Sequence, residues 1–310
     1  MTAWRSCLLA LAAVVLVWAA SPAARQGQTP QKPTFRAGVD LVAVDVSVTR
    51  GGEPVGGLKP ENFTVFDNGV KQALDKVTLE RVPLECCLVL DMSGSVQGQD
   101  LADLKRAATA FVSGLTGQDK VALITFNAEA RLVQPLSSNF PAFLSALNAV
   151  EAGGNTALYD AAYRAITMRK PRPNNRAVVV VFTDGQDNAS AVESNLVVRT
   201  AERSDVIAYG VSVGDTGGGG MGFRPLGAQF QIGFLRSLAE ATGGRVFRAT
   251  YGRRLEETFA LILDDVRSRY VLTYYPDKVA AGWHKLEVKL VNAKGDVLAR
   301  RGYYAGPSGQ

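Results

Sequence analysis

Three oxygen-bearing side chains follow a short apolar segment of the sequence at a regular spacing. Asp91, Ser93 and Ser95 stand at positions i, i+2 and i+4, directly after the apolar run at 86–90. One carboxylate and two hydroxyls on such a turn can converge on one point, and oxygen ligands of this kind suit a hard cation such as Mg²⁺. The spacing therefore predicts part of a divalent-cation site.

Two further side chains complete the predicted site. Asp184 follows a second apolar run at 177–182, and Thr156 opens a helical pattern after a pair of glycines. In open α/β sheets, ligands bind beyond the carboxyl ends of the strands, at the switch point of strand order, where both aspartates would lie. Such a set carries few formal charges, so it leaves the metal electrophilic, with an open position for an outside carboxylate. The predicted metal ligands are Asp91, Ser93, Ser95, Thr156 and Asp184.

Taken one at a time, these residues have simpler interpretations. Ser93 and Ser95 fit an ordinary strand-to-helix turn with a capping serine, and Thr156 fits a helix N-cap. Asp184 with the glycine after it fits a common turn. Asp187, close by in sequence, is predicted to be a solvated turn residue. Only the combination, in this order and at the ends of buried elements, indicates a metal site.

The segments around these residues alternate between two patterns. Short, nearly continuous apolar runs are typical of strands buried on both faces of a parallel sheet, and apolar residues at helical spacing lie between them. This alternation predicts a doubly wound α/β domain with a mostly parallel, Rossmann-like sheet. Strands are expected at 86–90, 121–126, 177–182, 206–213 and 245–249, and helices at 101–115, 140–150, 157–168, 192–201, 234–241 and 255–267.

Period-two patterns stand on both sides of the α/β domain. Valines alternate with small or polar residues from 42 to 48, which predicts a half-buried strand, and residues 286–290 alternate in the same way. The triplet Asp-Asn-Gly at 67–69 predicts a tight hairpin turn. Because each flank is short for an independent core, we expect both to pair into one small all-β, sandwich-like module in which the α/β domain is inserted. Two separate β modules are the alternative.

The amino terminus has the pattern of a secretory signal. Arg5 precedes an apolar run at 7–20, and small residues follow as far as 24. The run is too short to span a bilayer comfortably, so no membrane span is expected after cleavage, with a retained anchor as the alternative. An exported protein, periplasmic or extracellular, is expected. The assigned regions are a signal peptide at 1–24, a disordered lead-in at 25–35, the β module at 36–83 and 268–306, and the α/β domain at 84–267.

The sequence offers little for catalysis. Its one histidine, His284, is predicted to be a surface residue in another module from the serines that a Ser-His-Asp triad would need. Nitrogen and sulfur ligands for a zinc hydrolase are lacking, no glycine-rich turn ends as a P-loop does, and no basic stripe indicates nucleic-acid binding. A metal-assisted hydrolase or phosphoryl-transfer enzyme with Asp91 as nucleophile is the remaining enzyme hypothesis, but Ser93 stands where such enzymes usually carry a second aspartate. A third hypothesis makes the metal site structural or vestigial and assigns binding to the β module.

The predicted ligands resemble a known constellation. Together, Asp91, Ser93, Ser95, Thr156 and Asp184 match the metal-ion-dependent adhesion site of von Willebrand factor type A (VWA) domains, and the resemblance covers about 84–267. It implies that the first three are direct ligands and that Thr156 and Asp184 ligate directly or through water, according to state. It also implies a binding module rather than an enzyme, in which a divalent cation bridges to an acidic group of a protein or surface ligand. Mg²⁺ is the expected cation, with Mn²⁺ or Ca²⁺ as alternatives.

Two further implications come with this resemblance. In the VWA family, affinity depends on a shift of the last helix, here 255–267. The flanking segments at 65–69 and 301–305 also look like the VWFA-related domain proteins of Acidobacteria.

Overall fold

The structure, a computed structural model, describes residues 41–79, 81–168, 175–213, 226–276 and 280–306, with the backbone alone at 226–231. All of them belong to one compact unit, Gly38–Gln310. The predicted signal peptide, the lead-in at 25–35 and the glycine run at 217–220 lie outside the described residues. Within the described part of the chain, no helix has both the length and the apolar character needed to cross a bilayer.

The amino-terminal flank consists of strands joined by short turns. Asn68 and Gly69 adopt φ angles of 48° and 79° in the predicted hairpin turn, a conformation that asparagine and glycine tolerate best. A 3-10 helix at Pro60–Asn62 precedes the third strand. The strands are β1 (Val42–Arg50), β2 (Glu53–Pro54), β3 (Phe63–Asp67), β4 (Val70–Gln72) and β5 (Leu74–Thr78).

The middle of the chain alternates strands and helices, in agreement with its two sequence patterns. One strand, β8, was not predicted, because its residues are half-buried or exposed and form no continuous apolar run. The strands are β6 (Leu84–Asp91), β7 (Lys120–Phe126), β8 (Ala130–Ser137), β9 (Arg176–Thr183), β10 (Val206–Val213) and β11 (Val246–Ala249). The helices are α1 (Gln99–Ser113), α2 (Phe140–Asn148), α3 (Leu158–Thr167), α4 (Ser194–Glu202), α5 (Leu226–Thr242) and α6 (Arg253–Arg267).

The six strands form one sheet in the order β11-β10-β9-β6-β7-β8. Every neighbouring pair is parallel except β7 with β8. Leu88 packs into a core with side chains of α1, α2 and α6, while Val89, the next residue along β6, packs with side chains of α3, α4 and α5. Helices therefore cover both faces of the sheet, and each fully buried large apolar side chain stabilises the fold by roughly 1.5–3 kcal/mol. Cys86 and Cys87, neighbours on β6, lie in the two different cores and therefore on opposite faces of the sheet.

The carboxyl-terminal flank pairs with the amino-terminal one. Its strands are β12 (Tyr270–Tyr274), β13 (Gly282–Leu290), β14 (Asp296–Ala299) and β15 (Gly302–Ala305). One antiparallel sheet has the order β14-β1-β12-β5 with β2 beside β1, and the other has the order β15-β13-β3-β4. Val46 of β1, Val65 of β3 and Leu272 of β12 lie in one hydrophobic cluster. The two flanks thus share both sheets and one core.

Strand β1 corrects the expectation of a half-buried strand. Val44, Val46 and Val48 face the β core as predicted, but Ser47 and Thr49 on the opposite face are only 3% exposed. This second face packs against the α/β domain, where its polar residues find partners: Asp45 with Arg176, Ser47 with Asp265, and Thr49 with Arg245. A period-two pattern does not distinguish solvent from a polar interdomain contact, because both accept polar side chains.

His284 is also not where the sequence placed it. The prediction of a surface residue was wrong, since His284 lies on β13 with 3% exposure. Its Nδ1 is 2.8 Å from Asp67 Oδ1, and its Nε2 is 2.7 Å from the Ala280 carbonyl oxygen. Tyr274 and Tyr303 both donate to Asp67 Oδ2. Burial opposes protonation of His284, but its two acceptors outweigh that effect and raise its pKa above the ordinary value.

Candidate metal centre

Asp91 is the last residue of β6 and is fully buried. Its Oδ1 accepts the backbone N–H of Ser93 at 2.8 Å, and its Oδ2 accepts the hydroxyl of Thr183 at 2.6 Å. Burial raises the pKa of Asp91 to about 6, with a small contribution from Asp184, although the hydrogen bonds from Ser93 and Thr183 oppose the rise. A carboxylate that is costly to ionise in this place would be stabilised by a cation beside it.

A chain of hydroxyls joins the two strands at their carboxyl ends. Ser93 Oγ lies 3.0 Å from Ser95 Oγ, and Ser95 Oγ donates to Asp184 Oδ1 at 2.7 Å. Strands β6 and β9 are parallel neighbours, so Asp91 and Asp184 reach the same end of the sheet. This is the switch point of strand order, because β7 lies on one side of β6 and β9 on the other.

Thr156 is brought to the same place by two loops. Gly153 N donates to the Met92 carbonyl at 2.8 Å, and Gly94 N donates to the Gly154 carbonyl at 2.9 Å, so the segment before Thr156 lies against the turn that follows β6. A β-carbon at Gly185 would be 3.6 Å from Thr156 Oγ1 and 3.9 Å from Ser95 Oγ. Both hydroxyls therefore face the backbone directly after Asp184.

The hydroxyls are not helix caps. The N-cap residue of α1 is Gly98 and that of α3 is Ala157, and neither residue makes a capping hydrogen bond through its side chain. Ser93, Ser95 and Thr156 thus do not play the simplest structural role that their positions would allow.

The donor chemistry fits a hard divalent cation. All five side chains offer oxygen, and hydroxyls and carboxylates are ligands that Mg²⁺, Mn²⁺ and Ca²⁺ accept. Among the described residues, no group of three or more His, Cys, Asp or Glu side chains could hold a metal. A site in this part of the chain would therefore depend on serine and threonine oxygens as well as on its two aspartates.

Residues outside the predicted set hold the loop after Asp184. Asn188 Oδ1 accepts Thr156 N at 2.8 Å, and Asn188 N donates to the Thr156 carbonyl at 3.0 Å. Asp187 was predicted to be solvated, but it is half-buried and its Oδ2 accepts Tyr159 N at 3.1 Å, in the first turn of α3. A carboxylate is favoured there, since the N–H groups at a helix start carry partial positive charge. Such a contact depends on two loops meeting, so no local pattern could reveal it.

Tyr251 is a further contact that the sequence did not indicate. It lies between β11 and α6, and its hydroxyl donates to Asp184 Oδ2 at 3.0 Å. Its ring packs against Phe182, with 6.1 Å between ring centroids. Burial, together with Asp184, raises the pKa of this phenol above its ordinary value, so that it remains a donor.

An open groove of about 460 Å³ is lined in part by Met92, the residue between Asp91 and Ser93 in the chain. Val133 and Val150 line it together with the oppositely charged pair Glu129 and Arg131. The groove thus reaches the chain segment that carries Asp91 and Ser93, although none of the five candidate ligands lines it.

Residues 86–186 match the family model of the von Willebrand factor type A domain. This stretch is a VWA domain. It contains all five predicted ligands. Domains of this family typically mediate protein interactions, some of them through a bound divalent metal, and they are generally not enzymes.

Several known proteins are similar to parts of the chain. An uncharacterized protein of Synechocystis, sll0103, is 32% identical over 110 residues, which are 34% of this chain and 26% of that protein, so the match spans about a quarter of the relative. Among solved structures, BatB of Bacteroides thetaiotaomicron is 19% identical with a TM-score of 0.47, over 59% of this chain and 98% of BatB. A von Willebrand factor type A protein of Catenulispora acidiphila is 14% identical with a TM-score of 0.48, over 84% and 71%. Proximal thread matrix protein 1 of the mussel byssus, whose adhesion-site motif is occupied by zinc, is 17% identical with a TM-score of 0.48, over 66% and 50%.

Proposed function

We propose that this protein is a metal-dependent binding module whose VWA domain holds a divalent cation. Asp91, Ser93 and Ser95 would bind the cation, with Thr156 and Asp184 ligating directly or through water. When bound, the cation supplies an electrophilic position that a carboxylate of a protein or surface partner completes. The observation that carries this proposal is the hydrogen-bonded chain Ser93–Ser95–Asp184 at the end of a buried sheet.

The geometry favours binding over catalysis. Asp91, the nucleophile of the alternative enzyme hypothesis, has no solvent exposure, and each of its oxygens already accepts a hydrogen bond. An attacking carboxylate needs an oxygen that can approach the substrate. His284 is equally unsuited to general-base chemistry at this site, because both of its ring nitrogens are engaged within the β module.

Mg²⁺ is the cation that we assign to this site, with Mn²⁺ and Ca²⁺ as alternatives. Magnesium keeps several waters and takes few protein ligands, which suits a set dominated by neutral hydroxyls. We assign the protein to the periplasm or the extracellular space on the signal-like residues 1–24. The groove at Met92 is the surface on which we expect residues next to the partner's carboxylate to lie.

Calorimetric titration of Mg²⁺ into the metal-stripped protein tests the site. We expect saturable binding that is lost in Asp91→Ala and in Ser95→Ala and retained in Ser113→Ala, which removes an exposed hydroxyl at the end of α1. Circular dichroism and thermal unfolding establish that each variant is folded. Absence of Mg²⁺ binding by the folded wild type would reject the proposal.

A separate measurement tests whether the bound cation accepts a carboxylate from outside the protein. With Mn²⁺ in the site, water-proton relaxation reports the waters on the metal, and acetate should displace water where the neutral acetamide does not. Turnover of p-nitrophenyl phosphate by the Mg²⁺-loaded protein would instead support the enzyme hypothesis. If the metal stabilises the fold but acetate displaces no water from it, the result would support the hypothesis that the metal site is structural.

A further inference from the structure

Both oxygens of Asp184 are occupied by hydroxyl donors. Ser95 Oγ donates to Oδ1 at 2.7 Å and Tyr251 OH donates to Oδ2 at 3.0 Å. The first donor belongs to the predicted metal-binding turn. The second comes from a different part of the chain, the connection between β11 and α6.

Tyr251 is held in place independently of this hydrogen bond. Its ring contacts Phe182, a fully buried residue of β9 that lies two positions before Asp184. It also packs at the edge of the hydrophobic core that α1 and α6 share. The phenol is therefore directed at Asp184 by packing, and its hydroxyl is the only part of the side chain that phenylalanine would lack.

The two arrangements open to Asp184 have different consequences for a metal. A carboxylate in direct contact adds negative charge to the metal's ligands and fills a coordination position, which weakens its attraction for a further carboxylate. A carboxylate kept outside the coordination sphere by hydrogen bonds still attracts the cation, but leaves that position to water or to a partner. A donor fixed on Oδ2 favours the second arrangement.

We propose that Tyr251 is a positioning residue of the metal centre, whose hydroxyl holds Asp184 out of direct coordination and thereby reserves a metal position for the partner's carboxylate. This inference rests on the proposed function, because it requires that a cation binds at Asp91, Ser93 and Ser95. It assigns a role to a residue that lies outside the matched stretch of the VWA domain.

The test compares Tyr251→Phe with the wild type and with Tyr275→Phe, which removes a hydroxyl from a partly exposed ring that follows β12. We expect Tyr251→Phe to bind Mg²⁺ about fivefold or more tightly, an effect of the size expected when one hydrogen bond stops competing for a ligand. In the Mn²⁺ form, water-proton relaxation should report fewer bound waters, and acetate should displace less water than in the wild type. The control should match the wild type in all three measurements.

A double-mutant cycle with Asp184→Asn separates this role from a general effect of the substitution. The gain in affinity should disappear when Tyr251→Phe is combined with Asp184→Asn, because the carboxylate that would move onto the metal is gone. Unchanged or weaker Mg²⁺ binding by Tyr251→Phe would overturn the inference, as would a gain that persists without the Asp184 carboxylate. If the wild type binds neither Mg²⁺ nor Mn²⁺, the proposed function itself fails, and the two failures are thereby distinguished.

Discussion

At the scale of single residues, the candidate metal centre consists of oxygens whose positions are fixed by other hydrogen bonds. The backbone N–H of Ser93 and the hydroxyl of Thr183 orient Asp91, and Ser95 and Tyr251 orient Asp184. Groups that orient metal ligands affect affinity nearly as strongly as the ligands themselves. The candidate ligands could be predicted from residue type and spacing, whereas their supporting partners could not, because these come from distant segments.

Asn188 provides a direct test of such support. Replacing it with alanine removes the acceptor for Thr156 N and frees the loop that carries the Thr156 hydroxyl. Because loss of an orienting partner typically weakens metal binding tenfold or more, we expect the Mg²⁺ affinity of Asn188→Ala to fall about tenfold. Calorimetric titration measures it, with Asn148→Ala at the exposed end of α2 as the control. Equal affinities for the two variants would show that Thr156 does not depend on this contact.

The buried His284 predicts a pH dependence of stability. The raised pKa of His284 in the folded state means that the protonated ring, paired with Asp67, stabilises the fold. This contribution is complete below the unfolded pKa of about 6.5 and is lost as the pH rises through the folded-state pKa. The unfolding free energy of the wild type should therefore exceed that of His284→Gln by most in mild acid, and this difference should decrease as the pH rises. Urea unfolding at a series of pH values measures it, and a difference that stays constant would refute the assignment.

At the scale of elements, the two ends of α6 are held differently. At the carboxyl end, Arg176 donates to the Val266 carbonyl at 2.7 Å, Arg267 pairs with the buried Asp119 at 2.6 Å, and Arg269 pairs with Asp265 at 3.2 Å. Burial opposes ionisation of Asp265, but Arg269 and the hydroxyls of Ser47 and Tyr209 outweigh it and lower its pKa. Losing one member of a buried ion pair costs roughly 3–5 kcal/mol, so displacing the carboxyl end of α6 would be strongly unfavourable.

The amino end of α6 is linked to the candidate metal site instead. Tyr251 precedes the helix by two residues, and Glu256 contacts Arg106 in a partly exposed pair that contributes little. The VWA resemblance implies that affinity depends on a shift of this helix, and because ion pairs hold its carboxyl end, we expect the shift at the amino end. Adding Mg²⁺ and acetate should change amide hydrogen exchange at 251–257 and leave 263–269 unaltered. Changes of equal size at both ends would show that the helix moves as one body.

Secondary structure was predicted best from the sequence where burial alone determined the pattern of apolar residues. Strands β6, β9 and β10 are buried on both faces, so their apolar runs were unambiguous. Strand β8 is an antiparallel edge strand of intermediate burial, and its composition indicated nothing. The polar face of β1 was predicted to face solvent, but it contacts residues more than a hundred positions away in the sequence, such as Arg176.

At the scale of the whole molecule, the β module and the candidate metal centre lie at opposite ends of the α/β sheet. Arg176 is the first residue of β9 and Arg245 directly precedes β11, and these arginines meet Asp45 and Thr49 of β1. Asp91 and Asp184 stand at the carboxyl ends of β6 and β9. Helix α6 runs directly into β12, a strand that pairs with β1, and so joins the two regions through the chain itself.

This separation predicts that stability and metal affinity can be changed independently. Asp45→Ala leaves the buried guanidinium of Arg176 without its carboxylate partner, and because Asp45 itself is partly exposed, we expect a loss of about 2 kcal/mol of unfolding free energy. The Mg²⁺ affinity of Asp45→Ala should equal that of the wild type, since the altered contact is at the far end of β9 from Asp184. Asn188→Ala should show the reverse, weak metal binding with nearly unchanged stability, and Asp75→Ala at an exposed position of β5 should alter neither quantity. Urea unfolding and calorimetric titration of the same three variants measure both quantities.

A fall in Mg²⁺ affinity in Asp45→Ala would contradict this prediction. It would mean that α6 transmits the state of the β module to the candidate metal centre, and the two regions would then act as one unit.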